Sequence, residues 1–389
     1  MKRKIFLTLC FIMIVASTVY GGDNRVGLTL IPPGTITNKV DLDIRAGIVN
    51  QGTEQQDFKI SIYLNNVEQQ SLLHYSTITL PIGASHSIKY VLNTTDKVGN
   101  NRIILRVEDG KQSYEVTKKF EVIESDIRST RLIDGAWAGI YHWSEIEGKH
   151  WNADIKQMTD AQWHEMVRSM HNIGMDVIVI QEVFRNQEYV GQHKMNVDNY
   201  PGKAFYPSEL YPDRVPIMAH DPLEAILSEA DKLGMSVMMG VGMFAWFDFS
   251  AESLEWHKQV AKELWNKYGS HPSFYSFYIS EECAGNLYNS EQTYEMQLVR
   301  KKEICDFFRE FKKYIKKFAP EKPIMLATNS MGVLDGADAY PALLQNLDIL
   351  CPFGFARMPK GDLTGKEAAD ILQNLCDDAG AHLWFDLEA

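Results

Sequence analysis

Two rhythms of apolar and polar residues divide the chain. From residue 24 to about 125, apolar positions recur in short alternating runs: Val40–Val49, Phe58–Leu64, Tyr75–Leu80, Ser87–Leu92, Arg102–Val107 and Tyr114–Ile123. In Phe58-Lys-Ile-Ser-Ile-Tyr-Leu64 every second side chain is apolar, the mark of a half-buried antiparallel strand with one wet face. Turn-forming stretches at Asn50-Gln-Gly, Pro81-Ile-Gly and Val98-Gly-Asn separate these runs, and six or seven strands so spaced predict a β-sandwich over 24–125. After a linker at 126–132 the rhythm changes. Apolar runs at Gly135–His142, Asp176–Gln181, Ser236–Met243, Phe274–Ile279, Pro323–Thr328, Asp348–Pro352 and His382–Leu387 alternate with helical periodicity near 160–173, 221–233, 251–268, 291–318, 337–346 and 364–379. Asp160 and Asp221 read as N-caps, and Gly174, Gly234 and Gly380 as the glycines that end helices. Seven β/α alternations predict a parallel sheet wrapped by helices, a (β/α)8 TIM barrel over 133–389 that stops after strand 7 and is C-terminally incomplete.

The first 21 residues follow neither rhythm. Lys2, Arg3 and Lys4 precede an apolar run from Ile5 to Ala16 and then small and polar residues, which predicts a signal peptide over 1–21 and export to the periplasm, cell surface or exterior. The run is too short for a membrane span, and no later stretch approaches one, so no membrane insertion is expected. Cys10 is a poor lipidation site, with Leu9 before it and the apolar run continuing past it. The net charge is −12, and loss of the three leader cations takes it to −15. A surface so acidic disfavours nucleic acid, whose phosphates need basic partners. Cys283, Cys305, Cys351 and Cys376 show no CxxC spacing, no HExxH occurs, and His142 is the only strand-end histidine, so no metal and no cofactor is expected. No nucleotide-binding glycine loop and no serine-hydrolase elbow is present. No pattern in the sequence sets an oligomeric state.

In a barrel of this kind the chemistry lies at the C-terminal ends of the strands. Those ends read Tyr141-His142-Trp143, Gln181-Glu182, Met243-Phe-Ala-Trp246, Ser280-Glu281-Glu282, Asn329-Ser330, Pro352-Phe353 and Asp386-Leu387-Glu388. Two of them bring carboxylates behind an aromatic approach: Phe277-Tyr-Ile-Ser-Glu-Glu282 and Trp384-Phe-Asp-Leu-Glu388. Glycoside hydrolysis needs such a pair, one carboxyl protonated to release the leaving oxygen and the other ionised to attack or to activate water. Strand parity places Tyr278, Ser280 and Glu282 on one face and Asp386 with Glu388 on another shared face, so Glu282 and Glu388 are the candidate catalytic pair. All eight tryptophans lie at or after residue 137, and Trp143, Trp246 and Trp384 fall near strand ends where an aromatic face would cover a sugar ring. Tyr141, His142, Gln181, Tyr278, Glu281, Asn329 and Asp386 complete the expected substrate-binding set. The long segment 183–220, rich in Tyr, Pro and Asn, is expected to wall one side of the cleft.

Use of strands 4 and 7 resembles the large retaining glycosidase group built on this barrel, with Glu281 standing where that group has Asn before its acid. Residues 133–389 further resemble the barrel family called domain of unknown function 4434, described as glycoside hydrolases. The carrying stretches are Gly135–Trp143, Trp163 through Asn172-Ile-Gly-Met-Asp-Val-Ile-Val-Ile-Gln181, Phe277–Glu282 and Trp384–Glu388. The resemblance implies Glu282 as that family's glutamate. Phe277 replaces a Trp of the strand-4 pattern, and Pro352-Phe353-Gly354 stands where Gln-Asp is expected. Val98–Val107 resembles a hairpin of bacterial immunoglobulin-like modules. The resulting expectation is an exported two-carboxylate glycosidase of the retaining type acting on an oligo- or polysaccharide. The alternative is a non-catalytic glycan-binding or cell-surface protein on a degenerate barrel. With no Trp of its own, the sandwich is expected to be a spacer or a lid.

Overall fold

A computed structural model describes residues 18–21, 24–142, 147–185 and 191–387. The first part forms two antiparallel-rich sheets. Strands β1 (Thr18–Gly21), β2 (Asn24–Ile31), β3 (Thr35–Thr37), β4 (Leu42–Asn50), β5 (Gln56–Leu64), β6 (Leu72–Leu80), β7 (Ser85–Leu92), β8 (Gly99–Glu108) and β9 (Ser113–Ile123) assemble in the orders β1-β2-β4-β7 and β3-β9-β8-β5-β6. Val26, Leu28, Ile44, Ile48, Phe58, Ile60, Leu105 and Val116 fill the space between the sheets. Most expected strands form, with ends moved by a few residues. β1 is built from the end of the expected leader and pairs with β2, Thr18 opposite Gly27.

The second part is a mixed α/β unit. Its strands are β10 (Gly135–Ala138), β11 (Val177–Ile180), β14 (Ser236–Gly240), β15 (Phe274–Cys283), β16 (Ile324–Thr328), β17 (Ile349–Leu350) and β18 (His382–Leu383), with a small ribbon of β12 (Phe184–Arg185) and β13 (Lys203–Ala204) in the long insertion. The seven parallel strands lie in sequence order in one sheet. This is a half-barrel: among the described residues β10 and β18 are its two edges and are not paired with each other. The closed eight-stranded barrel is therefore not formed by the described residues.

Helices α1 (Asn152–Ile155), α2 (Asp160–Asn172), α3 (Pro222–Leu233), α4 (Ala251–Tyr268), α5 (Tyr294–Ile315), α6 (Val333–Gly336), α7 (Tyr340–Leu344) and α8 (Gly365–Ala379) connect the strands. Thr159, not Asp160, caps α2: its hydroxyl and the Gln162 side chain form a reciprocal capping box, and Asp160 becomes the first helical residue. The helix expected at 337–346 is two short helices, α6 and α7. Ile178, Ile180, Phe277, Ile279, Leu326, Trp256, Phe307 and Leu372 form the core between the convex face of the sheet and the helices.

The two parts are joined through a buried face. All eight residues of β2 and all nine of β4 are buried. Alternate residues face the sandwich core, and the others, including Arg25, Gly27, Ile31, Asp43, Arg45 and Gly47, meet the half-barrel. Arg25 forms a bidentate pair with Glu321, lies over the Trp265 ring at 4.6 Å, and reaches the Phe318 carbonyl. A Cβ on Gly27 or Gly47 would fall 2.5 or 2.4 Å from the Glu321 carboxylate, so both positions leave room for that side chain. Arg45 bridges Asp43 and Asp348, at 2.7 and 3.1 Å. Ile31 enters the concave core, and the Tyr275 hydroxyl donates to the Leu30 carbonyl at 2.9 Å. Glu321 and Asp348 precede β16 and β17, so the sandwich sits under the N-terminal ends of the strands. That is the end opposite the expected chemistry, and the expectation of a lid is corrected accordingly. The expected linker is fastened too, with Arg128 paired to Asp377 at 2.8 and 2.9 Å.

Candidate active site

The concave face of the sheet is built by residues two apart on each strand. Val177 and Val179 of β11, Met238 of β14, Tyr278 of β15, Met325 and Ala327 of β16 and Ile349 of β17 form one apolar cluster with Tyr275 and Cys351. Trp137, Phe353 and Trp384 pack against it. The Trp137 ring meets Tyr278 edge-on at 5.1 Å, and Trp384 stacks on Tyr275 at 6.4 Å with 19° between the planes. Towards the C-terminal ends the lining turns polar. Strand β15 runs on through Glu281 and Glu282 to Cys283, four residues beyond the sequence-based limit, with a register irregularity against β16 between Ile279 and Cys283. The approach of β11 to β14 here is close: a Cβ on Gly240 would lie 2.2 Å from the Ile180 carbonyl oxygen.

Tyr278 is the centre of this polar zone. Burial pushes its phenol well above the ordinary range, and Cys351, Glu182, Glu282 and Asp386 all lie within Coulombic reach and add to the effect. Groups from the ends of four strands thus contribute to the field at Tyr278: Glu182 after β11, Glu282 on β15, Cys351 after β17 and Asp386 after β18. Glu282 and Asp386 are half-buried. The Asp386 backbone N–H donates to the Pro352 carbonyl at 3.1 Å, which extends the β17–β18 register beyond the strand ends.

The expected site residues divide into three groups. Tyr278 and Trp384 share the concave face, Glu282 and Asp386 lie within Coulombic reach of Tyr278, and Gln181 lies exposed at the end of β11, its side-chain oxygen 3.5 Å from where a Cβ on Gly139 would be. Glu281, Tyr141 and Asn329 are engaged in the architecture. Glu281 is fully buried, and its Oε1 accepts from the backbone N–H groups of Phe244 and Ala245 at 2.6 and 3.1 Å. Burial, reinforced by Asp248, drives its carboxyl well above the usual carboxylate range. Glu281 therefore holds the loop after β14 from behind and is no part of the concave face, which corrects its expected contact with substrate. Tyr141 belongs to the core on the convex side, with Phe205 at 5.8 Å and the Lys156 amine 5.0 Å from its ring. The Asn329 side-chain oxygen accepts from the Met331 N–H at 2.9 Å and folds its own turn. His142 and Trp246 are half-buried beside the strand ends: the His142 backbone exchanges two hydrogen bonds with the Asn152 amide, and Trp246 packs on Phe247 at 5.3 Å. Glu388 and Trp143 lie outside the described residues.

Three neighbours of Tyr278 or of its aromatic layer were not in the expected set: Trp137, Tyr275 and Glu182. Glu182 is 3 % exposed and accepts from Arg185 Nε at 2.8 Å. Burial pushes its carboxyl up to about 7, although the Arg185 charge and hydrogen bond pull the other way. The available signal was Arg185 itself, a cation three residues after Glu182 in an otherwise apolar stretch. The insertion 183–220 is anchored in part: Phe184, Tyr200, Phe205 and Tyr206 are buried, Tyr200 lies 4.9 Å from Trp256 of α4, and the Tyr206 hydroxyl donates to Glu263 at 2.5 Å. Among the described residues no three His, Cys, Asp or Glu side chains group as metal ligands would, and no helix is long and apolar enough to cross a membrane.

Comparison with known proteins adds the family. The description "Domain of unknown function (DUF4434)" matches residues 133–389, the whole α/β part. The chain belongs to the DUF4434 family. No curated protein matches it. Solved structures similar to it include a β-glucuronidase from Bacteroides uniformis, 12% identical with a TM-score of 0.40, the match covering 92% of this chain and 39% of that one. A β-glucuronidase from Parabacteroides merdae matches at 12% identity and a TM-score of 0.36, over 94% and 40% of the two chains. A GH2 β-galacturonidase from Eisenbergiella tayi matches at 12% and 0.33, over 89% and 52%. The chain therefore spans about two-fifths to one-half of the length of these proteins. The DUF4434 match begins at the sequence boundary between linker and barrel, so the family covers the half-barrel and not the sandwich beneath it.

Proposed function

We propose that this DUF4434 protein is an exported glycoside hydrolase that cleaves an oligo- or polysaccharide on a (β/α)8-type scaffold. The observation that carries the reading is the aromatic concave face of Tyr278, Trp137 and Trp384, with Glu282 and Asp386 of neighbouring strand ends within Coulombic reach of Tyr278. Aromatic faces cover the apolar side of a sugar ring, and carboxyl groups in differing surroundings supply the acid and the base. Glu282 is the acid/base: it protonates the leaving glycosidic oxygen and then takes a proton from the attacking water. Glu388, two residues beyond Asp386, is the nucleophile of a retaining double displacement, which forms and then hydrolyses a glycosyl ester. Gln181 and Asp386 orient hydroxyl groups, and Trp384 supports the ring.

The test is turnover on a panel of aryl glycosides and polysaccharides, read as released phenol or reducing ends. Glu282→Gln and Glu388→Gln should each lower kcat by about 10²–10⁴-fold with an unchanged melting temperature. Full activity in either variant removes that residue from its role. Saturable glycan binding by the wild type, with no reducing ends released, would replace the hydrolase with a glycan-binding protein.

A further inference from the structure

Trp384 reaches the candidate site on β18, the shorter of the two edge strands of the parallel sheet. β18 is two residues long, and among the described residues it is bonded to β17 alone: the N–H groups of His382 and Trp384 donate to the Asp348 and Leu350 carbonyls, both at 2.9 Å. We infer that Tyr275 is a positioning residue through which the sandwich holds the Trp384 ring in place for the substrate. The inference rests on Trp384 supporting the sugar, as in the reading above.

Each link is a direct contact. Tyr275 stands on β15, buried in the apolar floor of the concave face. Its hydroxyl donates to the carbonyl of Leu30, on β2 of the sandwich, at 2.9 Å. The next residue, Ile31, is fully buried in the same floor, so the sandwich backbone cannot draw back from the hydroxyl without emptying part of that core. The Tyr275 ring lies nearly parallel to that of Trp384, with 19° between the planes and 6.4 Å between the centres. Burial pushes the phenol well above its ordinary range, so it remains a donor across neutral pH. The sandwich also fixes the start of β18: Lys89 Nζ donates to the Gly380 carbonyl at 2.8 Å, and His382 Nε2 lies 3.6 Å from Asp43 Oδ2.

The Tyr275 ring is thus pinned at one end by its own strand and at the other by Leu30. An edge strand has no second neighbour to hold it, so the ring stacked on Trp384 does part of that work. Tyr275→Phe keeps the ring and removes the outer pin, and the volume of the floor hardly changes. Trp384 then gains freedom along the floor. Tyr275 touches no substrate in this reading, and its effect on binding passes through Trp384. A tyrosine with only a structural task would lower the melting temperature and leave the site unaltered.

The full chain labelled with 5-fluorotryptophan tests the inference without turnover. The Trp384 19F signal is assigned by its loss in Trp384→Phe, and that of Trp256, fully buried on α4, by its loss in Trp256→Phe. In Tyr275→Phe the Trp384 signal should shift or broaden while the Trp256 signal stays in place. An unmoved Trp384 signal overturns the inference. So does an equal change at Trp256, which would mark a general loosening of the fold. A second arm uses the aryl glycoside that the panel above shows to be cleaved. On it Tyr275→Phe should raise KM about 2–10-fold, with kcat within about twofold of wild type. In the Trp384→Ala background the same change should leave KM where Trp384→Ala alone puts it. An unchanged KM in Tyr275→Phe, or additive effects of the two substitutions, overturns the inference. If no glycoside on the panel is cleaved, the hydrolase reading fails, and the 19F signals alone decide whether Tyr275 positions Trp384.

Discussion

Glu281 and Glu282 are neighbours in sequence with opposite surroundings. Glu282 is half-buried within Coulombic reach of Tyr278, while Glu281 is fully enclosed and ties down the Phe244 and Ala245 amides. Strand parity is the one signal in the sequence that distinguishes two adjacent glutamates. The separation makes a residue-scale prediction. Glu281→Ala should orphan two buried N–H groups, each costing about 1–3 kcal/mol, and lower the melting temperature sharply. Glu281→Gln keeps an acceptor oxygen and should melt close to wild type. A Glu281→Ala protein as stable as wild type would show that the loop after β14 does not depend on this carboxylate. Glu182 was less legible because Tyr278 of β15 and Tyr200 of the insertion, which both sense its charge, are distant in sequence.

Strands are where pattern and fold agree most closely. Apolar continuity placed all seven parallel strands, because each must bury one face against helices and the other in the concave core. Their ends were less well placed: β17 and β18 are two residues each, and β15 runs on through the glutamates. β2 and β4 show the limit of reading alternation as wet and dry. Their polar positions, Arg25, Asp43 and Arg45, look like a solvated face and instead form a buried docking face. Gly240 is fixed at the same scale. A Cβ there would run into the backbone carbonyls of Ile180 and Gln181, so Gly240→Ala must part β11 from β14. The expected cost is about 1–3 kcal/mol, seen as a lower urea midpoint at unchanged slope. An unaltered midpoint would mean that the two strands can separate at the site without loss.

The whole molecule depends on the contact between the sandwich and the strand floor. Burial would raise the Glu321 carboxyl, but Arg25 and Lys322 more than offset it and hold it at about 2, against an ordinary 4.5. A depressed acid stabilises the fold fully above its ordinary value, and the contribution is lost as pH falls from 4.5 towards 2. Melting temperature should therefore fall across that window in wild type and fall less in Glu321→Gln. At neutral pH, Glu321→Ala leaves the Arg25 charge buried without its carboxylate and should cost about 3–5 kcal/mol. A neutral-pH melting temperature equal to wild type would mean that the two parts do not stabilise each other through this pair.

The sequence by itself determined the two-part layout, the parallel order of the strands and the helices between them. These follow from period-2 and period-3.6 burial and from local caps, which act over a few residues. The tertiary structure alone decided that the sandwich closes the floor and that Glu281 supports a loop. It alone brought Glu182 and Arg185 into the field at Tyr200, and Glu182 into that at Tyr278. Those outcomes depend on which elements meet and on the low dielectric between them. Charge interactions there reach across residues a hundred or more positions apart, so no local pattern along the chain could encode them.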